Sequence, residues 1–532
     1  MKRPLGAQIS HMLKDRGVDT IFGIPGVHNV EMYRGIEEAG ITHVLARHEQ
    51  GAGFMADGYA RATGKPGVAY VITGPGLCNI MTPMGQAYSD SVPMLVISSC
   101  LDEVAAKRGQ LHQMKDQRAA AEAVCDWSEE AKTADAAYQL IDRALVEFET
   151  QRPRSKHIQV PIAVLKSQAD PACSIDVWER HPAIDRRDDS YAVTVTAQAL
   201  IQAKRPIIVY GGGAKGMGPK LPTKLARLAG AVTFTSYAGR GLVEADYPLS
   251  CGAALSRADS VAVFEQADLV VIAGSDLAEV DVWRDELGHN CRTIRLNIDP
   301  ENLSALHKTE LSAFCCDAHS TLEGVSEALE GHVAQSEWVA DEIKALRQRW
   351  RNEVDSDRQG IVPIADALRA ALPEDTTIYS DMTQFAYVAK DIWDMDKPDM
   401  WHHPYGFGTL GYALPAAIGG KIGVGDAPVI AIAGDYGFQY TVQELGVAVE
   451  LGLSLPIILW DNGKLKEIED CMVNSQIAPN AVQALNPNFC KLAEAWGANS
   501  AHPKTLVEMQ DAVKLAFKAG GPTLIYVTPE IL

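Results

Sequence analysis

The sequence predicts an α/β protein made of three doubly wound, parallel-sheet domains. Short apolar runs closed by Gly, Pro or polar residues alternate with helical stretches along the chain, the pattern of parallel sheets covered by helices. A chain of 532 residues is also too long for one ordinary domain. Residues 166–191 are polar, proline-bearing and aperiodic, so we interpret them as a linker, and 336–360 as a charged connecting helix. We therefore expect domains over 1–165, 192–335 and 361–532.

Each block contains its own candidate strands. In the first block they are TIFGIPG, THVLARHE, GVAYVITGPG and PMLVISS, and in the second PIIVYGGG, AVTFTS, LVVIAGS and TIRLNID. In the third block, VIAIAG and PIILW flank the helical stretch TVQELGVAVELG. Such a strand–helix–strand unit is almost always right-handed and places its two strands parallel in one sheet.

Composition excludes several classes of protein. The formal charge of −20 and the absence of Lys/Arg blocks argue against nucleic acid and anionic membranes as partners. No run of 18 apolar residues predicts a membrane span, and the N-terminal residues lack the apolar core of a signal peptide. Ten scattered cysteines without a CxxC pair indicate reduced thiols in a cytoplasmic protein.

Oxygen-bearing side chains follow two neighbouring strands of the third block. Asp435 comes directly after VIAIAG, and Asn462 follows PIILW after one further acid. Ligands bind at the carboxyl ends of strands in open α/β sheets, and a carboxylate with an amide oxygen suits Mg²⁺. Either residue alone could simply cap a helix or turn the chain, but the pair favours a metal site that also binds phosphate.

Residues 432–464 resemble the diphosphate-binding motif of thiamine diphosphate enzymes, which begins with Gly-Asp-Gly and closes on Asn-Asn. The resemblance implies three magnesium ligands: Asp435, Asn462 and the backbone carbonyl of Lys464. It places three residues at the diphosphate: Gly434, Tyr436 and Gly437. The chain departs from the motif at Tyr436, Asp461 and Lys464. None of these changes removes a ligand atom, so they affect the expected shape of the loop and not the metal.

Glu49 is the candidate catalytic carboxylate. It lies in RHEQGAGFMADGYAR, after a strand-like run and at the start of a glycine-rich helix. By itself it could be an ordinary acid that interacts with the helix dipole. The string up to TGPG resembles the pyrimidine-domain signature of the acetolactate synthase and 2-oxoacid decarboxylase branch of the family. Glu49 then corresponds to the glutamate that shares a proton with the aminopyrimidine ring, a role that suits a buried carboxyl of raised pKa.

A third match is GFGTLGYALPAAIGG. In this family the residue corresponding to Leu410 wedges under the cofactor, and the carbonyl of Gly408 accepts its amine. Gln384 corresponds to a position near the diphosphate. The alternatives are a core leucine and a helix-start glutamine. The resemblance covers essentially the whole chain, and it implies thiamine diphosphate and Mg²⁺ bound between the subunits of a homodimer or homotetramer.

The resemblance also implies a reaction on a small 2-oxo acid through a C2 ylide and an enamine. Acetolactate synthases usually show Phe-Gln-Glu where this chain has Leu111-His112-Gln113, and their FAD pattern is not found in IAGSDLAEVDVWRDELG, so FAD is not expected. His28 and His112 are candidates for proton handling near neutral pH, although either could be a hydrogen-bonded loop histidine. The sequence GGGAKGMG is only a weak phosphate signal, and we expect an empty middle domain.

The segment after the metal loop, KEIEDCMVNSQIAPNAVQALNPNF, is expected to face the substrate. Together with LHQMKDQ and GVHN it resembles 2-ketoarginine (5-guanidino-2-oxopentanoate) decarboxylases, so the candidate substrate residues are Gln113, Glu467, Glu469 and Asp470. Carboxylates would pair well with a guanidinium group. Lys464 and Lys466 lie among them, and a charged helix facing water has the same composition. A carboligase of acetolactate synthase type and an inactive cofactor-binding partner protein are the alternative functions.

Overall fold

The computed structural model describes residues 1–102, 109–173, 189–304, 311–483 and 485–532. In these ranges the chain forms three large sheets with helices on their faces, and the paired strands of the sheets run parallel. The predicted fold class is thereby confirmed. The chain divides into two compact units, Met1–Ala183 with Asp366–Ala386 and His402–Leu532, and Ile184–Ala365 with Tyr387–Trp401. The domain boundaries predicted from the sequence stay a prediction, and residues 174–188 of the expected linker lie outside the described ranges.

The first sheet has the strand order β3-β2-β4-β5-β7-β6. Its strands, with the short antiparallel pair β1 and β8, are β1 Arg3–Pro4, β2 Thr20–Gly23, β3 Thr42–Leu45, β4 Gly67–Val71, β5 Met94–Cys100, β6 Trp127–Glu130, β7 Lys156–Pro161 and β8 Gln168–Ala169. The helices are α1 Leu5–Asp15, α2 Glu49–Thr63, α3 Pro75–Ser89, α4 Gln117–Glu122, α5 Ala134–Thr150 and α6 Ile162–Lys166. The strand order reverses between β2 and β4, and their carboxyl ends are a typical ligand position.

The second sheet has the order β10-β9-β11-β12-β13. Its strands are β9 Pro206–Tyr210, β10 Val232–Thr235, β11 Leu269–Ala273, β12 Arg292–Asn297 and β13 Leu311–Cys315. The helices of this part are α7 Ser190–Gln202, α8 Lys220–Ala229, α9 Val261–Phe264, α10 Glu279–Val282, α11 Ala318–Ala328 and α12 Ala340–Asp357. Helix α12 occupies much of the predicted connecting segment, and it buries Ile343 and Trp350 in a cluster with Val232 and Phe234 of β10.

The third sheet has the order β15-β14-β16-β17-β19-β18. Its strands are β14 Thr377–Ser380, β15 Trp401–His402, β16 Val429–Gly434, β17 Pro456–Trp460, β18 Asn499–Ala501 and β19 Thr523–Val527. The helices are α13 Ile361–Ala371, α14 Gln384–Ile392, α15 Ala413–Val424, α16 Asp435–Thr441, α17 Leu445–Glu450, α18 Lys466–Asn474, α19 Phe489–Ala495 and α20 Leu506–Ala516. The order reverses between β14 and β16, so Asp435 begins a helix at a switch point of the sheet.

Helices α2 and α15 pack backbone to backbone and join the first and third sheets into one unit. A Cβ atom on Gly58 would overlap the carbonyl oxygen of Ala416, and one on Gly419 would overlap the carbonyl oxygen of Met55. Only glycine permits this approach. Apolar residues of both sheets consequently share one hydrophobic core.

The helix predicted after β16 differs in detail from the observed structure. Helix α16 begins at Asp435, several residues earlier than TVQELGVAVELG suggests, and a 3-10 turn at Val442–Glu444 separates it from α17. The hydroxyl of Thr441 donates to the carbonyl of Gly411 (2.8 Å), and the Glu444 carboxylate accepts the backbone N–H of Arg47 (3.1 Å). These tertiary contacts coincide with the interruption of a helix that the apolar pattern predicts as continuous. Of the helices that lie in the described ranges, none is both long and apolar enough to cross a membrane.

Candidate active site

Two carboxylates and one amide meet at the carboxyl ends of β16 and β17. Asp435 is 4% exposed and Asp461 is 7% exposed. The side-chain amide of Asn486 donates to Asp435 Oδ2 (2.7 Å) and to Asp461 Oδ1 (3.0 Å). Burial raises the pKa of Asp435 to about 6, and the Asn486 hydrogen bond opposes that rise. One neutral donor therefore holds two acids close together, and the sequence analysis did not identify Asn486.

Asn462 connects the metal loop to α14 and α18. Its Nδ2 donates to Gln384 Oε1 (3.3 Å), and Gln384 Nε2 donates to Glu467 Oε1 (2.8 Å). The side-chain Oδ1 of Asn462 accepts a long hydrogen bond from the backbone N–H of Lys464 (3.4 Å). The structure therefore brings together Asn462, Gln384 and Glu467, which the sequence analysis predicted separately.

The donor set fits a hard divalent cation. It differs from a cluster of charged ligands: within the described part of the chain, no group of three or more His, Cys, Asp and Glu side chains could hold a metal ion. An ion at this sheet edge would bind the Asp435 carboxylate, the Asn462 amide oxygen and a main-chain carbonyl, leaving positions for phosphate and water as Mg²⁺ prefers. The backbone beside Lys464 is fixed by the Leu465 N–H, which donates to the carbonyl of Val482 (2.8 Å).

Asp461, which replaces an asparagine of the motif, holds the shape of the loop. Its Oδ1 accepts the backbone N–H of Gly463 (2.8 Å), and its Oδ2 accepts the hydroxyl of Tyr526 (2.9 Å). Both oxygens are therefore engaged within the protein. This departure from the family pattern leaves the predicted ligand atoms in place.

The two glycines at the start of α16 give room to side chains of the neighbouring strand end. A Cβ atom on Gly434 would lie 3.0 Å from Thr383 Oγ1, and one on Gly437 would overlap Asp381 Oδ2. Burial raises the pKa of Asp381 to about 6, although this carboxylate accepts the backbone N–H groups of Met382 and Gly411 (2.9 Å each). Asp381 directly follows β14, a position that could have marked it in the sequence.

The loop that carries Leu410 has a fixed backbone. Gly408 and Gly411 both have positive φ, +65° and +84°, which glycine adopts without strain. The Asp381 carboxylate holds the N–H of Gly411, and the Thr441 hydroxyl holds its carbonyl. Leu410 is half-buried between the two glycines while Gly408 is exposed. An apolar side chain on such a fixed turn is consistent with the predicted wedge.

A buried ionic network supports the same loop from α2 and the end of α3. The Asp90 carboxylate accepts the backbone N–H groups of 405–406 (3.2 and 2.8 Å) and an Arg61 N–H (2.9 Å). Arg61 also donates to Asp57 (2.7 Å), which accepts the hydroxyl of Tyr412 (2.7 Å). Losing one member of such a buried network leaves an uncompensated charge, at a cost of about 3–5 kcal/mol. The spacing of Asp57 and Arg61 by four helical positions was the available sequence signal.

Glu49 begins α2 and is 8% exposed. Its Oε2 accepts the side-chain amide of Asn79 (2.8 Å), and a Cβ atom on Gly76 would lie 3.2 Å from its Oε1. The preceding His48 caps the helix, because its Nδ1 accepts the backbone N–H of Gln50 (3.1 Å). The structure therefore orients Glu49 through Asn79, a contact that the sequence analysis did not predict.

His28 and His112 form a pair near the start of α3. Their rings meet edge to face with centroids 4.8 Å apart. Burial, and then the neighbouring His112, lower the pKa of His28. The backbone of His112 has φ +64°. A Cβ atom on Gly74 would lie 2.5 Å from the carbonyl oxygen of His112, so glycine is needed for this close approach. The Nδ1 atoms of both rings are buried without a hydrogen-bond partner among the described residues.

The acids of α18 differ in their surroundings. Glu469 pairs with Lys464 (2.8 Å) and Asp470 with Lys466, and the helix contains no buried residue. Glu467 accepts the Gln384 bond described above. Gln113 lies on the other candidate segment, where its Oε1 accepts the backbone N–H of Gln110 (3.2 Å).

Comparisons with known proteins identify the family to which the chain belongs. The chain matches three family models described as "Thiamine pyrophosphate enzyme": the N-terminal TPP binding domain over 3–120, the central domain over 193–325 and the C-terminal TPP binding domain over 381–527. It is 41% identical over 528 residues to "Probable 2-ketoarginine decarboxylase AruI" of Pseudomonas aeruginosa, covering 98% of this chain and 93% of that protein. It is 26% identical to acetolactate synthase isozyme 2 large subunit of Escherichia coli, covering 98% and 95% of the two chains. Identity is also 26% to the mitochondrial acetolactate synthase catalytic subunit of Saccharomyces cerevisiae, covering 98% and 80%. The chain therefore belongs to the thiamine pyrophosphate (thiamine diphosphate) enzymes, in the branch that contains acetolactate synthases and 2-oxoacid decarboxylases.

Proposed function

We propose that this protein catalyses the Mg²⁺-dependent, non-oxidative decarboxylation of a 2-oxo acid with a cationic, guanidino side chain. One observation carries the proposal: the hydrogen-bonded chain from Asn462 through Gln384 to Glu467 places a carboxylate beside the candidate metal site. The name of the Pseudomonas aeruginosa relative supports the same substrate class.

The residues that would hold the cofactor come from two strand ends and one loop. Asp435, Asn462 and the Lys464 carbonyl would bind Mg²⁺, and the backbone of Gly434, Tyr436 and Gly437 would approach the diphosphate. Gly408 and Leu410 would contact the rings. Bound thiamine diphosphate would supply the carbon nucleophile and the electron sink that loss of CO₂ requires.

Glu49 and the two histidines are the proposed proton-handling groups. Asn79 engages Glu49 Oε2, so we assign Oε1 as the atom that holds and releases a proton. His28 has a lowered pKa, which favours a neutral ring near pH 7 that can accept a proton. Its contact with His112 would let the two rings act as a proton relay, since each has a buried Nδ1 with no partner in the described structure.

We further propose that the site is completed by a second copy of the chain, in a homodimer or homotetramer. Apolar side chains next in sequence to site residues are exposed: Val27 by 68%, Leu111 by 61% and Phe407 by 50%. Their burial in an interface would place the Glu49 side of one subunit against the metal loop of another.

We also propose the cytoplasm as the location of the protein. All ten cysteines are free, which is compatible with a reducing compartment.

A panel of 2-oxo acids tests the reaction class. With thiamine diphosphate and Mg²⁺ present, we expect CO₂ and an aldehyde from 5-guanidino-2-oxopentanoate, and little turnover by Glu49→Gln although that variant still binds the cofactor. Acetolactate from pyruvate would instead indicate a carboligase, in line with the acetolactate synthase relatives. Cofactor binding without turnover of any acid would indicate an inactive partner protein.

Glu467→Gln tests the substrate side chain. The variant keeps the shape of Glu467 but loses the charge that would pair with a guanidinium group, so kcat/KM for 5-guanidino-2-oxopentanoate should fall by about 30-fold. The value for 2-oxopentanoate should change by less than about twofold, since that acid carries no cation. Asp470→Asn is the matched control, because the Asp470 carboxylate already pairs with Lys466. Equal losses for both acids would contradict the assignment of Glu467 to the guanidinium group.

A further inference from the structure

The second unit contains a cavity of about 520 Å³, a volume typical of small-molecule sites. Its walls are the end of β10 with the following loop, one side of α12 and residues 390–395. The glycine-rich turn 211–217 does not line it. The cavity is therefore separate from the strand-end glycine motif that the sequence analysis considered as a phosphate contact.

Three side chains that line the cavity have polar atoms without a hydrogen-bond partner among the described residues. These are both terminal nitrogens of Arg240, Nε1 of Trp393 and Oγ1 of Thr235. Arg240 is only 7% exposed, Trp393 5% and Thr235 4%. Buried donors in native proteins almost always have partners, and each one left unpaired costs free energy. Several unsatisfied donors around one cavity indicate a missing acceptor.

The charges around the cavity favour an anionic acceptor. Six basic and four acidic side chains line it, in a chain whose formal net charge is −20. Arg347 pairs with Asp394 (2.8 Å), and Arg257 pairs with Asp391. Arg240 has no ion pair in the described part of the chain. The cavity therefore has an excess of positive charge, to which Arg240 contributes.

Aromatic rings hold the guanidinium of Arg240 in place. Its Cζ lies 5.6 Å from the ring centroid of Tyr237 and 5.4 Å from that of Trp401. Such contacts use none of the hydrogen-bonding capacity of the guanidinium group, so its two terminal nitrogens can still donate to a carboxylate or phosphate. Lys390 lies close by, with Nζ 3.4 Å from the Tyr237 centroid. Its pKa is lowered to about 8, first by burial and partly by the charge of Arg240. A bound anion would reduce the repulsion between these two cations.

We propose that this cavity is a binding site for a small anion bearing a carboxylate or phosphate group, held by Arg240 with Trp393 and Thr235 as further donors. The residues of this anion site belong to the second unit, whereas the proposed catalytic residues all belong to the first. It does not depend on the identity of the 2-oxo acid. A failure of the proposed function would leave it standing.

Calorimetric titration of the thiamine diphosphate- and Mg²⁺-loaded protein tests the site. Inorganic phosphate and acetate are titrated separately at constant ionic strength, so that the two experiments distinguish the anion classes. We expect saturable binding of at least one anion, weakened at least about tenfold by Arg240→Gln. Arg347→Gln, which removes a cation already paired with Asp394, should change the affinity by less than about twofold.

Two conservative variants separate binding from folding. Trp393→Phe and Thr235→Val each remove one unpaired donor, so each should lower the affinity for the anion by about threefold. The melting temperature of the anion-free protein should stay unchanged or rise. If Arg240→Gln does not melt cooperatively, the anion affinities of these two variants test the proposed site in its place. No saturable binding of either anion, or wild-type affinity in the donor variants, would overturn the proposal and indicate a cavity filled by water alone.

Discussion

The turns after β16 and β9 both place glycines at the end of a buried strand, yet they differ in what surrounds those glycines. After β9, the N–H of Gly211 donates to the carbonyl of Ala273 (2.8 Å), and the N–H of Gly213 donates to that of Gly274 (2.9 Å). After β16, Gly434 and Gly437 face the side chains of Thr383 and Asp381. The first turn is closed against a neighbouring strand end, and the second lies among polar side chains.

The comparison separates two structural uses of glycine at the end of a buried strand. In the β9 turn, glycine is required because backbone packs against backbone, and the N–H groups of Gly211 and Gly213 are already bonded. In the β16 turn, Gly434 and Gly437 leave room for the hydroxyl of Thr383 and the carboxylate of Asp381, and Asp381 holds the N–H of Gly411. The buried carboxylate of Asp435 directly follows Gly434. The residues that surround the glycines, and not the glycines alone, therefore distinguish the β9 turn from the β16 turn.

The largest expected effect is that of Asp435→Asn, which removes the charge at the β16 turn and keeps its shape. Mg²⁺-dependent binding of thiamine diphosphate should weaken at least about 100-fold, measured by equilibrium dialysis at pH 7.5. In the cofactor-free protein, by contrast, we do not expect Asp435→Asn to lower the free energy of unfolding. The folded-state pKa of Asp435 is raised to about 6, so ionisation of Asp435 lowers the free energy of unfolding as pH rises through that value. The neutral variant should be as stable as wild type or more stable at pH 7.5.

The pH dependence of the wild type gives an independent check. A carboxyl must lose its proton to bind a metal, so the affinity for Mg²⁺ and cofactor should fall as pH decreases through about 6. Asp461→Asn is the control, because both oxygens of Asp461 are engaged by Gly463 and Tyr526, and its effect should stay below about tenfold. Full Mg²⁺-dependent binding by Asp435→Asn would show that Asp435 is not a ligand.

The sequence predicted the part of the molecule that depends on local pattern. The alternation of strand-like and helical segments predicted the three parallel sheets. The acids at strand ends predicted which turns carry polar groups. The partners of those acids lie far away in the chain. Asn486, which bridges Asp435 and Asp461, lies in a segment without a regular pattern. No periodicity or spacing marks such a residue, because only the folded chain brings it to the acids.

The contacts between Asp90 and the loop that carries Leu410 were also outside the reach of sequence reasoning. Asp90 ends α3 as an ordinary C-cap residue, and its bonds to 405–406 depend on the packing of α2 against α15. That packing follows from Gly58 and Gly419, which look like unremarkable small residues of two helices. Likewise, hydrophobic pattern predicted one helix after β16, whereas contacts from Gly411 and Arg47 accompany its division into two.

A smaller effect is expected when one methyl group is added to each glycine turn. In Gly437→Ala the new Cβ would overlap Asp381 Oδ2, and this carboxylate also holds the N–H of Gly411 next to Leu410. The affinity for thiamine diphosphate should therefore fall by about 10- to 100-fold, because the change reaches both the diphosphate turn and the ring-contacting loop. Titration of cofactor into the Mg²⁺-loaded protein measures it.

Gly213→Ala is the matched change in the other turn and should have the smallest effect on binding. Its Cβ would lie 2.9 Å from the Cα of Gly274, so strain should lower the free energy of unfolding by about 1–3 kcal/mol. The affinity for thiamine diphosphate should stay within about twofold of wild type, since that turn belongs to the second unit and carries none of the proposed ligands. A loss of cofactor affinity equal to that of Gly437→Ala would mean that the difference between the two turns has no functional meaning. Destabilisation of Gly213→Ala with intact thiamine diphosphate binding would show that glycine there serves backbone packing and not the binding of this cofactor.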